Sequence, residues 1–316
     1  MKNVDLIYDI LDKAAHIYYD NLKLDYLSAL TEINNNLNYD EYHTILSDEV
    51  IKNLEFIYKP FLEGSFLNEE IRLALELYTV KGLKHNNYPP TVMLPDFINY
   101  LYVMIVNNLF SGNISIMDTN LGTANLLAAI NNNYPGNANL IGIEEDELLL
   151  KYASAFMSLQ QTPIKIYYQS LLGKVLDVVD LVVGELRSFY LDDSLNLDNK
   201  LYNENVRYFP YLAITSRIEN ILDNGYFIYL VDNDFFKNKD FLLFNKHLNE
   251  YAYIAGIVML PTEIVKNKEV GKSIIIGKKS KNIREILAVD IKGVKKELVV
   301  EATKKIKLMI EKIKED

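Results

Sequence analysis

Apolar residues recur at three- and four-residue spacing through the first eighty positions. They do so in Leu6, Ile7, Ile10, Leu11, Ala14 and Ile17, again in Ile51, Leu54, Ile57 and Tyr58, and again in Ile71, Leu75 and Tyr78. That period is the signature of amphipathic helices. The stretch has no strand alternation, and it predicts about four helices packed as a helical domain over residues 1–85. His85-Asn86-Asn87-Tyr88-Pro89-Pro90 breaks the pattern and reads as a linker.

The rhythm then changes. A helix is expected over about Pro95–Asn107, followed by apolar strands alternating with helical stretches. The strands are Ile114–Met117 ending in Asp118, Leu140–Ile143 ending in Glu144, Ile164–Tyr168, Asp180–Val183 and Tyr226–Val231. Helices are expected over about Thr123–Asn132, up to Leu159 after the second strand, over Pro210–Leu222 and over Phe236–Leu248, with Asp223-Asn224-Gly225 as a turn. Strands and helices alternating at this length predict a doubly wound, mostly parallel α/β sheet. Ile254–Met259 and Ser273–Ile276 have no helical pattern between them, so they predict an antiparallel hairpin joined through 261–271 and a sheet of seven strands with its last strand antiparallel. Lys295–Lys314 predicts a basic amphipathic helix. Residues 86–316 thus form a Rossmann-like domain.

Hydrophobic residues make up 49% and charged residues 24% of the 316 positions, globular values that argue against disorder. There is no Cys, which removes disulfides, thiolate metal sites and cysteine nucleophiles together. The histidines His16, His43, His85 and His247 have no partners at metal-ligand spacing, so no metal site is expected. No apolar stretch suits a signal peptide or membrane span, and a cytoplasmic location without membrane attachment is the expectation. The formal net charge of −10 argues against a strongly nucleic-acid-binding surface. Charge is uneven, however: residues 1–80 carry 6 basic and 15 acidic side chains, and residues 266–316 carry 15 basic and 8 acidic. The basic end is either a solvated helix or a weak phosphate-binding face.

The candidate chemistry sits at strand ends. Met117-Asp118-Thr119-Asn120-Leu121-Gly122-Thr123-Ala124-Asn125 forms a strand-to-helix turn, where open α/β sheets bind ligands. Glycine there permits close backbone approach, and the G-x-G-x-x-G pattern of nicotinamide and flavin proteins is absent. Glu144, at the end of the next strand, is placed to accept hydrogen bonds from ribose hydroxyls, whereas Glu145 and Asp146 suit a helix N-terminus.

With these residues in place the chain resembles the adenine-specific DNA methylases, within the class I S-adenosylmethionine-dependent methyltransferases. Asp118–Leu127 is similar to their D-P-x-x-G-T-G-N-L-L loop, with Ala124 at a glycine position. Leu94-Pro95-Asp96-Phe97-Ile98 is similar to T-P-x-x-I, Gly142–Asp146 to G-x-E-x-D, and Ile254–Pro261 and Lys272–Ile276 to the closing strands. The likeness is strongest to compact methylase-like proteins of Gram-positive bacteria. It implies a methyltransferase sheet binding S-adenosylmethionine through Asp118, Thr119, Gly122, Ala124, Glu144 and Glu145, with Leu94 and Ser170 nearby, and DNA or another nucleobase-containing acceptor as partner.

One motif departs. Adenine methylases carry [N/D/S]-P-P-[Y/F/W] after the fourth strand, where this chain reads Val183-Gly184-Glu185-Leu186-Arg187-Ser188-Phe189-Tyr190. Both prolines are missing. Glu185 is the candidate acceptor for an amino hydrogen, and Phe189 or Tyr190 the candidate stacking ring. Arg187 places a cation beside a site that must receive a sulfonium. Two functions therefore stand open: a nucleobase N-methyltransferase with a degenerate motif, or an inactive methyltransferase-like domain that binds cofactor or a protein partner.

Overall fold

The computed structural model describes residues 2–89, 92–264 and 271–315. By contact density these fall into two compact units. One comprises residues 1–100, 121–133 and 144–168, and the other residues 101–120, 134–143 and 169–316.

The first unit begins with four helices: α1 (Lys2–Leu22), α2 (Tyr26–Tyr39), α3 (Asp48–Leu62) and α4 (Asn68–His85). Their starts follow ordinary capping chemistry. The Asp25 carboxylate accepts from the N–H groups of Leu27 and Ser28, and Ser47 Oγ accepts from Val50 N–H. The stripe Ile7, Ile10, Leu11, Ala14 and Tyr18 is buried, as its spacing requires. The buried Asn36 is satisfied among these helices: its Oδ1 accepts the hydroxyls of Tyr18 (2.7 Å) and Tyr58 (2.9 Å). The same unit contains α6 (Asn125–Asn133), α7 (Glu147–Leu159) and β3 (Lys165–Tyr168), with α7 packed on α2 and α6 on α4.

The second unit holds α5 (Asp96–Leu109) from Leu101 onward, β1 (Ile114–Asp118), most of β2 (Ala138–Glu144), β4 (Val179–Leu186), α8 (Lys200–Asn203), α9 (Phe209–Arg217), β5 (Ile221–Asp232), α10 (Phe241–Leu248), β6 (Tyr253–Met259), β7 (Lys272–Lys278), β8 (Leu287–Asp290) and α11 (Lys296–Glu315). The strand order is β3-β2-β1-β4-β5-β7-β6-β8. Strands β2, β1, β4 and β5 are parallel, and β7 inserts antiparallel between β5 and β6. This is the expected mostly parallel sheet with an antiparallel strand near its end. Among the described residues no helix is long and apolar enough to cross a membrane.

Four features differ from the sequence expectation. The sheet has an eighth strand, because Leu287–Asp290 pairs parallel to β6; four residues with one buried position, Val289, carry little periodic signal. The expected helix over Pro210–Leu222 stops at Arg217, and residues 221–225 belong to β5 rather than to a separate turn. Val179 pairs with Ile221 but Leu181 pairs with Tyr226, so the Asp223-Asn224-Gly225 segment is a bulge. Asn224 takes the left-handed φ of 65° that this bulge needs. The expected helix over Phe236–Leu248 is two pieces, a 3-10 turn over Asn233–Lys237 and α10. Finally, β4 runs three residues past Val183. Proline cannot donate to a ladder, and with none present the pairing continues through Glu185 opposite Leu230 and Leu186 opposite Val231. The proposed linker's Pro90, most of the 261–271 connection, and Lys266 and Lys268 of the basic segment lie outside the described residues.

Candidate functional site

The carboxyl ends of β1, β2 and β4 are level: Asp118 pairs with Gly142 on one side and Val183 on the other. Asp118 is buried, and its Oδ1 accepts from Asn120 N–H at 2.9 Å. Thr119 N–H donates to Val183 O (3.0 Å), and its Oγ1 donates to the same carbonyl (3.3 Å). The close approach depends on Gly184. A Cβ there would stand 2.9 Å from Thr119 Oγ1 and 3.4 Å from Asp118 Oδ1, so any side chain would force the Thr119 hydroxyl to shift.

In the first unit, the turn ahead of α6 brings Gly122 to Glu144. Gly122 has φ 54° and donates its N–H to Glu144 Oε2 at 2.7 Å. Glu144 Oε1 accepts from the N–H groups of Glu145 (2.9 Å) and Asp146 (2.8 Å). A carboxylate has about four acceptor sites. Three are filled by backbone donors, all neutral, and Oε2 keeps one for a further hydroxyl. Burial raises the Glu144 pKa, and the three N–H bonds oppose that shift without cancelling it. Asp146 does what a helix-capping acid does, accepting from Leu148 and Leu149 N–H, and it also holds the Tyr88 hydroxyl at 2.8 Å. Glu145 is exposed. Ala124 takes φ 63°, a left-handed conformation that disfavours a Cβ, so its replacement of a glycine is costlier than side-chain size suggests. Leu94 is half-buried, with its carbonyl 3.5 Å from Asn99 Nδ2. In the second unit, exposed Ser170 closes a local turn: its Oγ accepts from Leu172 N–H and its carbonyl from Gly173 N–H.

The end of β4 is built differently. Lys272 Nζ lies 2.9 Å from Glu185 Oε1 and 2.8 Å from Asp232 Oδ1, and all three side chains are largely buried. Burial works against the charged ammonium, but Glu185 and Asp232 outweigh it and hold the Lys272 pKa above its ordinary value. Arg187 Nε lies 3.9 Å from Glu185 Oε2. Asp232 Oδ2 accepts Ser188 N–H, and Ser188 Oγ bonds Asp234 Oδ1 and the Tyr208 hydroxyl, both at 2.7 Å. The nearby carbonyls are engaged as well: Gly184 O accepts the buried Tyr102 hydroxyl (2.9 Å), and Glu185 O accepts from Asn120 Nδ2 (3.4 Å). Phe189 stacks on Phe209 with centroids 4.3 Å apart. The Tyr190 hydroxyl accepts from Asn238 Nδ2 at 2.9 Å. Both belong to an excursion over 189–209 whose ends meet through Leu191 N–H on Arg207 O and Phe209 N–H on Phe189 O.

Neither Lys272 nor Asp232 has a site role in the sequence reading: Lys272 opens a closing strand and Asp232 follows the fifth strand. The signal was a lone cation opening the apolar run Ser273-Ile274-Ile275-Ile276. Its meaning depends on β7 lying beside β5 with Lys272 opposite Asp232, which is a matter of strand order.

Comparison with known proteins bears on this geometry. Residues 5–83 match the family model of the YtxK N-terminal helical domain. The chain is 26% identical over 270 residues to the uncharacterized protein YtxK of Bacillus subtilis (strain 168), spanning 83% of this chain and 82% of that protein. A crystal structure from Listeria monocytogenes, provisionally named a class I S-adenosylmethionine-dependent methyltransferase, superimposes with a TM-score of 0.82 at 26% identity, covering 98% of this chain and 99% of that one. The chain has the class I methyltransferase fold. The fold extends to the methyltransferase subunit of a type I restriction-modification system from Streptococcus thermophilus, with a TM-score of 0.58 at 14% identity over 96% of this chain and 93% of that one.

Proposed function

We propose that the chain binds S-adenosylmethionine, or its demethylated product, over the turn that follows β1. The proposal includes an acceptor side that does not perform the amine methylation of adenine-specific DNA methylases. The observation that carries the first half is Glu144: a buried carboxylate at the end of β2, oriented by three backbone N–H groups, with one acceptor site on Oε2 left for a ribose hydroxyl. Gly122, Ala124 and Glu145 of the same unit accompany it, while Asp118, Thr119, Leu94 and Ser170 remain candidates from the sequence resemblance. When bound, the cofactor would supply an activated methyl group; the residues of this chain supply its binding. The name of the Listeria protein supports the cofactor class.

The second half rests on Lys272. An exocyclic amine must find acceptors that keep its lone pair aimed at the methyl carbon, and misplacement by about 1 Å can cost on the order of a hundred-fold in rate. Glu185 Oε1 is paired with the Lys272 ammonium, and Phe189 is stacked on Phe209.

Calorimetry with S-adenosylmethionine tests the reading. Glu144→Ala should weaken binding by roughly 1.5–3 kcal/mol, about ten- to a hundred-fold. Unchanged affinity removes the ribose assignment. The other reading, an N-methyltransferase acting on a nucleobase, is favoured by the whole-chain likeness to a type I modification subunit and by Glu185 remaining a carboxylate at the end of β4. Radiolabelled methyl transfer to DNA that disappears in Glu185→Ala would establish that reading instead. DNA binding itself is expected to be weak and lost at physiological salt, carried by the lysines of 266–314.

A further inference from the structure

Arg72 of α4 is completely buried, yet it belongs to none of the strand-end motifs. A guanidinium removed from water must have its donors satisfied. Here the partners come from three elements. Within α4, Nε and Nη2 hold both oxygens of Glu69 (2.9 and 2.8 Å), and Nη1 holds Glu76 Oε2 (2.9 Å). At the start of α5, Nη1 and Nη2 hold Asp96 (2.9 and 3.2 Å). At the start of α6, Nη1 donates to Asn125 Oδ1 at 2.8 Å. Glu76 takes the other end of the same amide, with Asn125 Nδ2 3.5 Å from Oε2.

Asn125 is therefore held at both ends by α4, and it directly follows the turn that presents Gly122 N–H to Glu144. That turn contains Ala124 at φ 63°. A non-glycine residue keeps such a conformation only when its surroundings over-determine it. The Ala124 N–H bond to Leu121 O (2.9 Å) closes the turn from within, and the Arg72–Asn125–Glu76 clamp secures it from outside.

We propose that Arg72 is a positioning residue for the cofactor site: through Asn125 it holds the Gly122–Ala124 turn in its left-handed form, so that the N-terminal helices set cofactor affinity. This rests on S-adenosylmethionine binding at Glu144 and goes beyond it by assigning control of that site to α4.

The test is calorimetry with S-adenosylmethionine on the full chain, paired with thermal melts. Asn125→Ala cuts the clamp while leaving Arg72 its three carboxylates, so the fold should persist. Its dissociation constant should rise about tenfold, the scale of the cost of holding Ala124 left-handed. Adding Ala124→Gly to Asn125→Ala should restore most of the affinity, since glycine takes this conformation without penalty. A merely structural clamp would lower the melting temperature without changing affinity or responding to Ala124→Gly. Arg72→Lys serves as the second variant: it keeps the buried charge but loses the fork that spans α4, α5 and α6, and it should weaken binding with the same rescue. Unchanged affinity in both variants, or weakened affinity that Ala124→Gly does not restore, overturns the proposal. If the unmodified chain itself fails to bind, the cofactor reading fails, and does so separately.

Discussion

Two glutamates stand at neighbouring kinds of position, buried Glu144 at the end of β2 and half-buried Glu185 near the end of β4, and their surroundings are opposite. Glu144 is met by three backbone N–H groups. These neutral donors orient the carboxylate and favour its charged form while leaving that charge uncancelled and one acceptor site open. Glu185 is met by the Lys272 ammonium, with Arg187 at 3.9 Å. Its charge is cancelled inside the protein. The contrast teaches that an acid at a strand end does not by itself make a ligand site. A carboxylate oriented by neutral donors keeps its charge for a ligand, whereas one paired with an internal cation has that charge already balanced.

The largest expected effect breaks the Glu185 side. Lys272→Ala should strand two largely buried carboxylates and destabilise the protein by about 3 kcal/mol in urea denaturation. A loss below about 1 kcal/mol would mean that Glu185 and Asp232 are well hydrated, and the contrast with Glu144 would lose its basis. A smaller effect comes from a third acid, Glu76. Burial first, and then neighbouring Asp96, push its pKa up to about 7 from 4.5, against the pull of Arg72. Arg72, Glu69, Asp96 and Asn125 are the groups that surround it. The folded state holds this proton more tightly than the unfolded chain does. Its contribution to stability is therefore fully present below about pH 4.5 and is lost as pH rises to about 7. Relative to Glu76→Gln, the unmodified protein should lose on the order of 2 kcal/mol between pH 5 and pH 8, measured by denaturation at each pH. Parallel curves would show that Glu76 is ionised throughout. The smallest effect sharpens the Glu144 side. Ala124→Gly should raise stability by up to about 1 kcal/mol by removing a left-handed alanine, partly offset by glycine's greater freedom when unfolded. A loss of stability would indicate that the alanine methyl packs well enough to outweigh the backbone cost.

Much of this arrangement was legible in the chain, and what escaped did so for identifiable reasons. The four N-terminal helices, α11, and strands β1, β2, β5, β6 and β7 follow from periodicity, because each buries one continuous face. The Asp118 and Glu144 strand ends follow from the same periods. Where neighbours outweighed local pattern, the expectation failed. Ile221 and Leu222 continue the apolar spacing of α9, yet Ile221 pairs with Val179 in a bulged strand. Leu287–Asp290 has too few residues to announce itself, yet β6 offers it an edge. Ala124 looks like a minor replacement until its φ is known.

The amino-acid sequence by itself determined most of the helices and strands, where the acids fall at strand ends, and that no proline interrupts residues 183–190. These depend on side chains three, four or two residues apart, and such information is local. Only the tertiary structure decided which acid faces which partner. Lys272 reaches Glu185 because β7 enters antiparallel beside β5, 87 residues further along the chain. Arg72 reaches Asn125 across 53 residues because α4 packs on α6. Electrostatic pairing acts through space over a few ångströms, whereas periodicity acts along the chain. The partners of each strand-end carboxylate were therefore settled by strand order and helix packing.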